Sequence, residues 1–297
     1  MSSDNSQLPL DQRKLSDLTD YEVASLTQEL KAEEASKRPL VGEVEPLERL
    51  SDEYKNETFL AKIASLQRDS WTGLRRLRGD GDCFYRAFAF SYLERLIPLP
   101  PSAAQLALAK VESLLPLLDQ AGFQKDIYDD FYEPLRDLLL ALGPDSKLPR
   151  PTATSLHASF NDTETSNAII VFLRLLTSAF LRANADDFTP FLFGLEDDPR
   201  FMLEGGAPTM DQFCSFHVEA VNKEADHIQI TALTRALSVY TRIAYLDQSG
   251  APPGGFGAGA GENGDVKVDF VEFEGESEEK LNGALLYRPG HYDVLYR

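Results

Sequence analysis

The sequence predicts an α+β (mixed α/β) domain, a helical lobe packed on a small β-sheet. Three observations predict it. Helical periodicity dominates residues 45–237, while segments rich in β-branched and aromatic residues crowd the region after 238. That order, helices first and strands last, is the pattern of segregated layers. Hydrophobic residues make up 43% of the 297 positions and charged residues 26%, enough to bury a sizeable core.

The elements follow in order. Residues 1–18 are polar, with the composition of a disordered terminus. A helix is expected over 19–36, because Thr19 and Glu22 have capping-box spacing and Val23, Leu26 and Leu30 form a narrow apolar stripe. Pro39 ends it, so residues 1–40 form a flexible arm and 41–297 the globular domain. Residues 45–69 read as helical, with Leu47, Leu50 and Tyr54 along one face. A turn-rich stretch, Arg78-Gly79-Asp80-Gly81-Asp82-Cys83, leads into a helix over Phe84–Leu96, closed by Pro98, Pro100 and Pro101. Helices are expected over 102–122 and 125–142, and a long one over Asn161–Ala183, apolar around much of its circumference and therefore central. Phe188–Gly206 reads as an irregular insert, Met210–Asn222 and Ile230–Leu237 as helices. Strands are expected at Ser238–Leu246, Val266–Phe273, Leu285–Tyr287 and His291–Tyr296, with a flexible Gly-rich loop at 249–265.

Charge and cysteine content exclude several function classes. A formal net charge of −19 opposes nucleic-acid binding and acidic membrane surfaces. The Gly-rich loop lacks the Lys-Ser/Thr ending of a phosphate-binding loop. Two cysteines build neither a disulfide scaffold nor the usual structural zinc site. The sequence shows no run of about 18 apolar residues of the kind that spans a bilayer, and no secretory signal. A soluble intracellular protein with reduced thiols, cytoplasmic and also nuclear, is expected.

Cys83 carries the chemical signal. It sits where a Gly-rich turn meets a helix start, where the helix dipole favours a thiolate and unpaired amides can serve an oxyanion. A lone cysteine is often just a small buried hydrophobe, but that role does not require Asp-Gly-Asp before it. Of four histidines, His157 and His217 read as surface or satisfied side chains, and His227 as a structural group at a helix start. His291 and Asp293 share one face of a strand at i and i+2, so the carboxylate can accept the imidazole N–H. Taken alone, the motif also fits an edge strand with a chance His-x-Asp.

Together these segments resemble the otubains, a branch of the ovarian-tumour (OTU) deubiquitinases. Asp80-Gly81-Asp82-Cys83-Phe84-Tyr85-Arg86-Ala87-Phe88 resembles the family's cysteine box, and Leu286 to Tyr296, with Arg288-Pro289-Gly290-His291-Tyr292-Asp293 at its centre, its histidine box. Segments at 158–162, 171–178 and 223–228 are similar too, and the likeness runs from about residue 40 to the C-terminus. The resemblance implies a papain-like OTU cysteine protease fold over 41–297. It implies Cys83 as nucleophile, His291 as general base and Asp293 as its orienting partner, with Asp80 in the turn whose amides form the oxyanion hole. It implies no cofactor or metal, and a monomer that cleaves ubiquitin chains, preferentially lysine-48-linked. It also implies a second role in which the chain binds and restrains ubiquitin-charged conjugating enzymes, with the helix at 19–36 touching the acceptor-side ubiquitin.

Overall fold

A computed structural model describes residues 37–147, 149–195, 208–248, 266–273 and 284–297. The expected helix at 19–36, most of the insert at 194–206 and the Gly-rich loop at 249–265 lie outside the described residues.

The chain enters as strand β1 (Val41–Pro46), a 3₁₀ stretch (Leu47–Glu53), helix α1 (Glu57–Arg68) and strand β2 (Gly73–Leu77). The helical lobe follows: α2 (Cys83–Leu96), α3 (Pro101–Gln120), α4 (Lys125–Leu142), α5 (Ala153–Asn161), α6 (Thr163–Ala183) and the short α7 (Ala185–Phe188), which runs into 3₁₀ turns (Thr189–Leu195). Helix α8 (Met210–Phe213) continues as a π turn (Cys214–Val218), and α9 (His227–Leu237) leads into β3 (Thr241–Tyr245), β4 (Asp269–Phe273), β5 (Ala284–Arg288) and β6 (His291–Tyr296). The six strands lie in the order β1-β2-β6-β5-β3-β4, antiparallel except for the parallel β3–β5 pair.

Alternation along the strands sorts two cores. Leu285, Tyr292 and Val294 face the helical lobe and join Phe84, Phe88, Phe172 and Leu173. Leu74, Leu286 and Leu295 face the other way, under Leu47, Leu50, Phe59 and Leu66 of the 3₁₀ stretch and α1. The sheet is thus covered on both faces, with the large helical lobe on one side, which is the mixed architecture the sequence predicts. Helix α6 is the apolar axis of the lobe. By length and composition it could cross a membrane, yet 61% of that window is buried in the protein's own core.

Several expected boundaries move. The strands do not all come last, since β1 and β2 precede the lobe. β1 is an edge strand carrying Glu43 and Glu45 and ending in Pro46, and β2 reads Gly-Leu-Arg-Arg-Leu. Neither shows an apolar alternation, and in β2 the charged Arg75 is buried through bonds to Gly42 O (2.8 Å) and the Tyr296 hydroxyl (3.0 Å). The helix expected over 45–69 is two pieces, divided where the Asn56 side chain caps α1 through Thr58 N at 2.8 Å. The helix expected from Asn161 begins at Thr163, capped by Asp162 through Thr165 N at 2.9 Å, with α5 before it. The segment 210–222 stops being helical at Val218, and Asn222 takes a φ of 58°. Ser238, in the left-handed region at φ 55°, ends α9, so β3 starts three residues later than expected.

Candidate active site

The turn before α2 is held by two acid–base pairs. The Asp80 carboxylate accepts the Asp82 N–H at 3.0 Å and two bonds from Arg86 Nη1, at 2.9 and 2.8 Å. Arg86 is 1% exposed, one turn into α2. The Asp82 side chain does not cap the helix it precedes. It turns instead to Arg174 of α6, which donates from Nε (2.8 Å) and Nη2 (2.5 Å), and to the Asn222 N–H at 3.2 Å. Burial dominates at Asp82 and raises its pKa, against the charge and hydrogen bonds of Arg174. Arg174 is fully buried and also donates to the carbonyls of Val218 (3.0 Å), Gly81 (3.2 Å) and Lys223 (2.6 Å). One guanidinium thereby ties the cysteine turn to the segment 218–223. The two pack so closely that Gly81, at φ +86°, has no room for a side chain: a Cβ there would stand 2.4 Å from the Asn222 carbonyl.

Cys83 is the first residue of α2 and 2% exposed. Asp80 takes up the Asp82 N–H, while the first amides of α2, from Cys83 on, have no acceptor within the helix and can meet a developing oxyanion.

His291 opens β6, straight after the two-residue Pro289-Gly290 turn that joins it to β5. Its Nε2–H donates to Asp293 Oδ1 at 2.8 Å, and Cys83 is near enough to act on its titration. A Cβ on Gly79 would lie 3.4 Å from Nδ1, so the turn before Cys83 runs beside that edge of the ring. Burial disfavours the imidazolium, but the bonds and charges of Asp293 and Cys83 outweigh it and push the pKa up to about 9.

Asp293 is fully buried. The β2–β6 ladder pairs Arg75 with Val294, and beyond that pair the Leu77 N–H donates to Asp293 Oδ1 at 3.0 Å. Arg288 donates to Oδ2 from Nε at 3.0 Å and lies 2.7 Å from it through Nη2. Burial works to raise the Asp293 pKa, but the His291 bond and charge, Arg288 and the Leu77 N–H together hold it below the ordinary carboxylate range.

The structure thus brings Cys83, His291 and Asp293 together, with His291 hydrogen-bonded to Asp293, and sets Asp80 in the turn before Cys83. The other candidates are elsewhere. His157 Nε2 lies 2.9 Å from Val41 O, and the His227 N–H donates to its N-cap Asp226 at 2.7 Å. The His217 ring stacks on Phe213. Cys214 is fully buried beside Ser178 O, and burial pushes its thiol up to about 11. Sequence reasoning missed Arg86, Arg174 and Arg288. Only Arg288 left a signal: across a two-residue turn it must stand opposite His291 and diagonal to Asp293.

Two hollows lie by this hairpin, and His291 itself lines the first. One, of about 470 Å³, is lined by Arg38, Tyr54 and Arg288; the other, of about 510 Å³, by Glu224, Asp226, Tyr287 and Tyr292. Among the described residues, no cluster of three His, Cys, Asp or Glu side chains is placed to hold a metal.

This geometry can be set beside known proteins. The family model described as Peptidase C65 Otubain matches residues 33–297. The Arabidopsis thaliana protein "OVARIAN TUMOR DOMAIN-containing deubiquitinating enzyme 1" is 36% identical over 279 residues, covering 89% of this chain and 83% of that one. Human "Ubiquitin thioesterase OTUB1" is 35% identical over 282 residues, covering 93% and 91%. A solved structure described as h/ceOTUB1 with ubiquitin aldehyde and UBCH5B~Ub superposes with a TM-score of 0.72 at 29% identity, covering 93% of this chain and 97% of that one. The chain belongs to the otubain family of peptidases, peptidase C65.

Proposed function

We propose that this otubain-family deubiquitinase hydrolyses the isopeptide bond between ubiquitin units with Cys83 as nucleophile, His291 as general base and Asp293 as the residue that orients the imidazole, and that it prefers lysine-48-linked chains. The observation that carries the assignment is the meeting of Cys83, at the start of α2, with the His291 imidazole, whose Nε2–H is held by the buried Asp293. The Cys83 sulfur attacks the carbonyl of ubiquitin's C-terminal glycine, and the oxyanion meets amides at the start of α2. The His291 imidazolium protonates the departing lysine amine, leaving a thioester on Cys83. A water molecule, giving its proton to His291, then releases the acyl group. Asp80 and Asp82 act through the turn by keeping its amides in place. We further propose that residues 1–40 are an arm whose helix at 19–36 contacts the acceptor-side ubiquitin, that 41–297 is the catalytic domain, and that the protein works in the cytoplasm and nucleus.

Incubation with di-ubiquitins of every linkage tests the reaction and the preference together. Selective loss of the lysine-48-linked dimer supports both, whereas equal cleavage of all linkages removes the preference. Ubiquitin with an electrophilic C-terminus should label Cys83. Labelling confined to Cys214, or cleavage surviving Cys83→Ala, overturns the assignment.

A second reading rests on the solved complexes described as OTUB1 with UBCH5B~Ub and UBC13~Ub. By analogy, this chain would bind ubiquitin-charged conjugating enzymes and restrain them without cleavage. Cys83→Ala protein that still inhibits conjugation would support that role beside the hydrolysis.

A further inference from the structure

We propose that Arg288 is a positioning residue for the reaction: held by Glu53, its guanidinium clamps one oxygen of Asp293 and so aims the other at His291. The inference rests on the assignment of Cys83, His291 and Asp293 above.

The two oxygens of Asp293 have separate partners. Oδ1 takes the His291 Nε2–H at 2.8 Å and the Leu77 N–H at 3.0 Å. Oδ2 faces Arg288 alone among these, at 3.0 Å from Nε and 2.7 Å from Nη2. A carboxylate is otherwise free to swing about its last torsion. A planar fork approaching one oxygen side-on removes that freedom in a way a single ammonium does not. The pair is enclosed, with side-chain exposures of 14% for Arg288 and 0% for Asp293.

Arg288 is itself fixed from outside. Its Nη1 donates to Glu53 Oε2 at 3.0 Å, and Tyr54 lines the same hollow. The other oxygen of Glu53 meets Arg76 Nη1 at 2.5 Å, and Arg76 pairs in turn with Glu45. From β1 inward, charges therefore alternate through Arg76, Glu53, Arg288 and Asp293 to His291. Among the described residues, the groups facing the Asp293–His291 pair are Arg288 from β5, Cys83 from α2, the Leu77 N–H from β2, and the Glu224 carboxylate, which stands against Gly290 in the turn. Arg288 is the one cation among them that touches Asp293. A purely structural ion pair would account for the burial of Arg288. It would not account for a clamp that takes one oxygen of Asp293 and leaves the other to the imidazole.

The test compares wild type, Arg288→Met, Arg288→Lys and Glu53→Gln on ubiquitin bearing a C-terminal fluorogenic amide, across pH 6 to 10. Arg288→Met is expected to lower kcat by about 10- to 100-fold with KM unchanged, the scale of a misplaced catalytic group, and to shift the alkaline limb of kcat. Arg288→Lys should recover part of both effects, and Glu53→Gln should shift both the same way by less. Melting curves separate folding from positioning. If Arg288→Met does not fold, a folded Arg288→Lys or Glu53→Gln with wild-type kcat and limb overturns the clamp. So does a folded Arg288→Met that raises KM alone. A wild-type protein with no Cys83-dependent hydrolysis would instead sink the underlying assignment, so the two failures are distinguishable.

Discussion

The shift at His291 makes a prediction about stability that can be checked without substrate. The imidazole moves from an ordinary value of 6.5 to about 9 on folding. At about 1.4 kcal/mol per unit, the folded state favours the protonated ring by roughly 3 kcal/mol. The side chain is 16% exposed, so solvent screening trims this figure little. Because the folded pKa is the higher one, the contribution is fully present below pH 6.5 and is lost as pH rises through about 9. Urea unfolding of wild type and His291→Gln at pH 6, 7.5 and 9.5 isolates it, since the variant cannot titrate there. The gap between the two proteins should close by roughly 3 kcal/mol across that range. The His291 ring protons, followed by NMR, should titrate near 9, and lower in Cys83→Ala, because Cys83 is one of the groups holding the value up. A ring that titrates at its ordinary value in wild type, or a gap that does not change with pH, refutes the coupling of His291 to Asp293 and Cys83.

Two further substitutions probe the cysteine turn. Gly81→Ala meets both a left-handed backbone, costing about 1–2 kcal/mol by itself, and a backbone carbonyl 2.4 Å from the new Cβ. It should lower the melting temperature and the rate together, and a wild-type melting curve would show that the turn and 218–223 do not pack as described. Arg174→Met strands the buried Asp82 and should destabilise by about 3–5 kcal/mol at neutral pH. Burial already raises the Asp82 pKa, so its neutral form is favoured in the folded state and stability is lost as pH rises through the folded value. The deficit of Arg174→Met should therefore be smaller at pH 4.5 than at 7.5 in denaturant unfolding, and an equal deficit at both contradicts the reading.

What could be read from the sequence divides along physical lines. Local signals were legible. The helix at Lys125–Leu142 and the strand at His291–Tyr296 fall where periodicity puts them, and His291 beside Asp293 follows from the two-residue repeat of a strand. Strands whose charges are satisfied by distant partners were not legible. Nothing local in Gly-Leu-Arg-Arg-Leu says that Arg75 of β2 is buried among Gly42, Glu94 and Tyr296. Arg174 sits in a helix whose apolar run marks it as central, and nothing local says that its partner is Asp82, 92 residues earlier. Arg288 lies between these cases, since a hairpin register read from Pro289-Gly290 would have placed it beside Asp293.

A chain with 48 acidic and 29 basic residues repels itself overall, yet its candidate site is organised by arginines. Asp80, Asp82 and Asp293 each meet one: Arg86, Arg174 and Arg288, with side-chain exposures of 1%, 0% and 14%. Such buried pairs are poor sources of stability, because removing two ions from water costs about as much as their attraction returns. What they supply is direction. Each guanidinium has several donors in fixed geometry, and each uses them to join elements far apart in the chain: Arg86 joins the turn to α6 through Ser166, Arg174 joins it to 218–223, and Arg288 joins the β5–β6 hairpin to the 3₁₀ stretch. An apolar side chain could fill the same volumes without setting the angle of a carboxylate. Thiol and imidazole lie on segments more than 200 residues apart and must meet within hydrogen-bond reach, so angle is the quantity this site has to control. The Asp-Gly-Asp before Cys83 and the Asp after His291 are therefore halves of pairs, and the arginines that complete them belong to the same device.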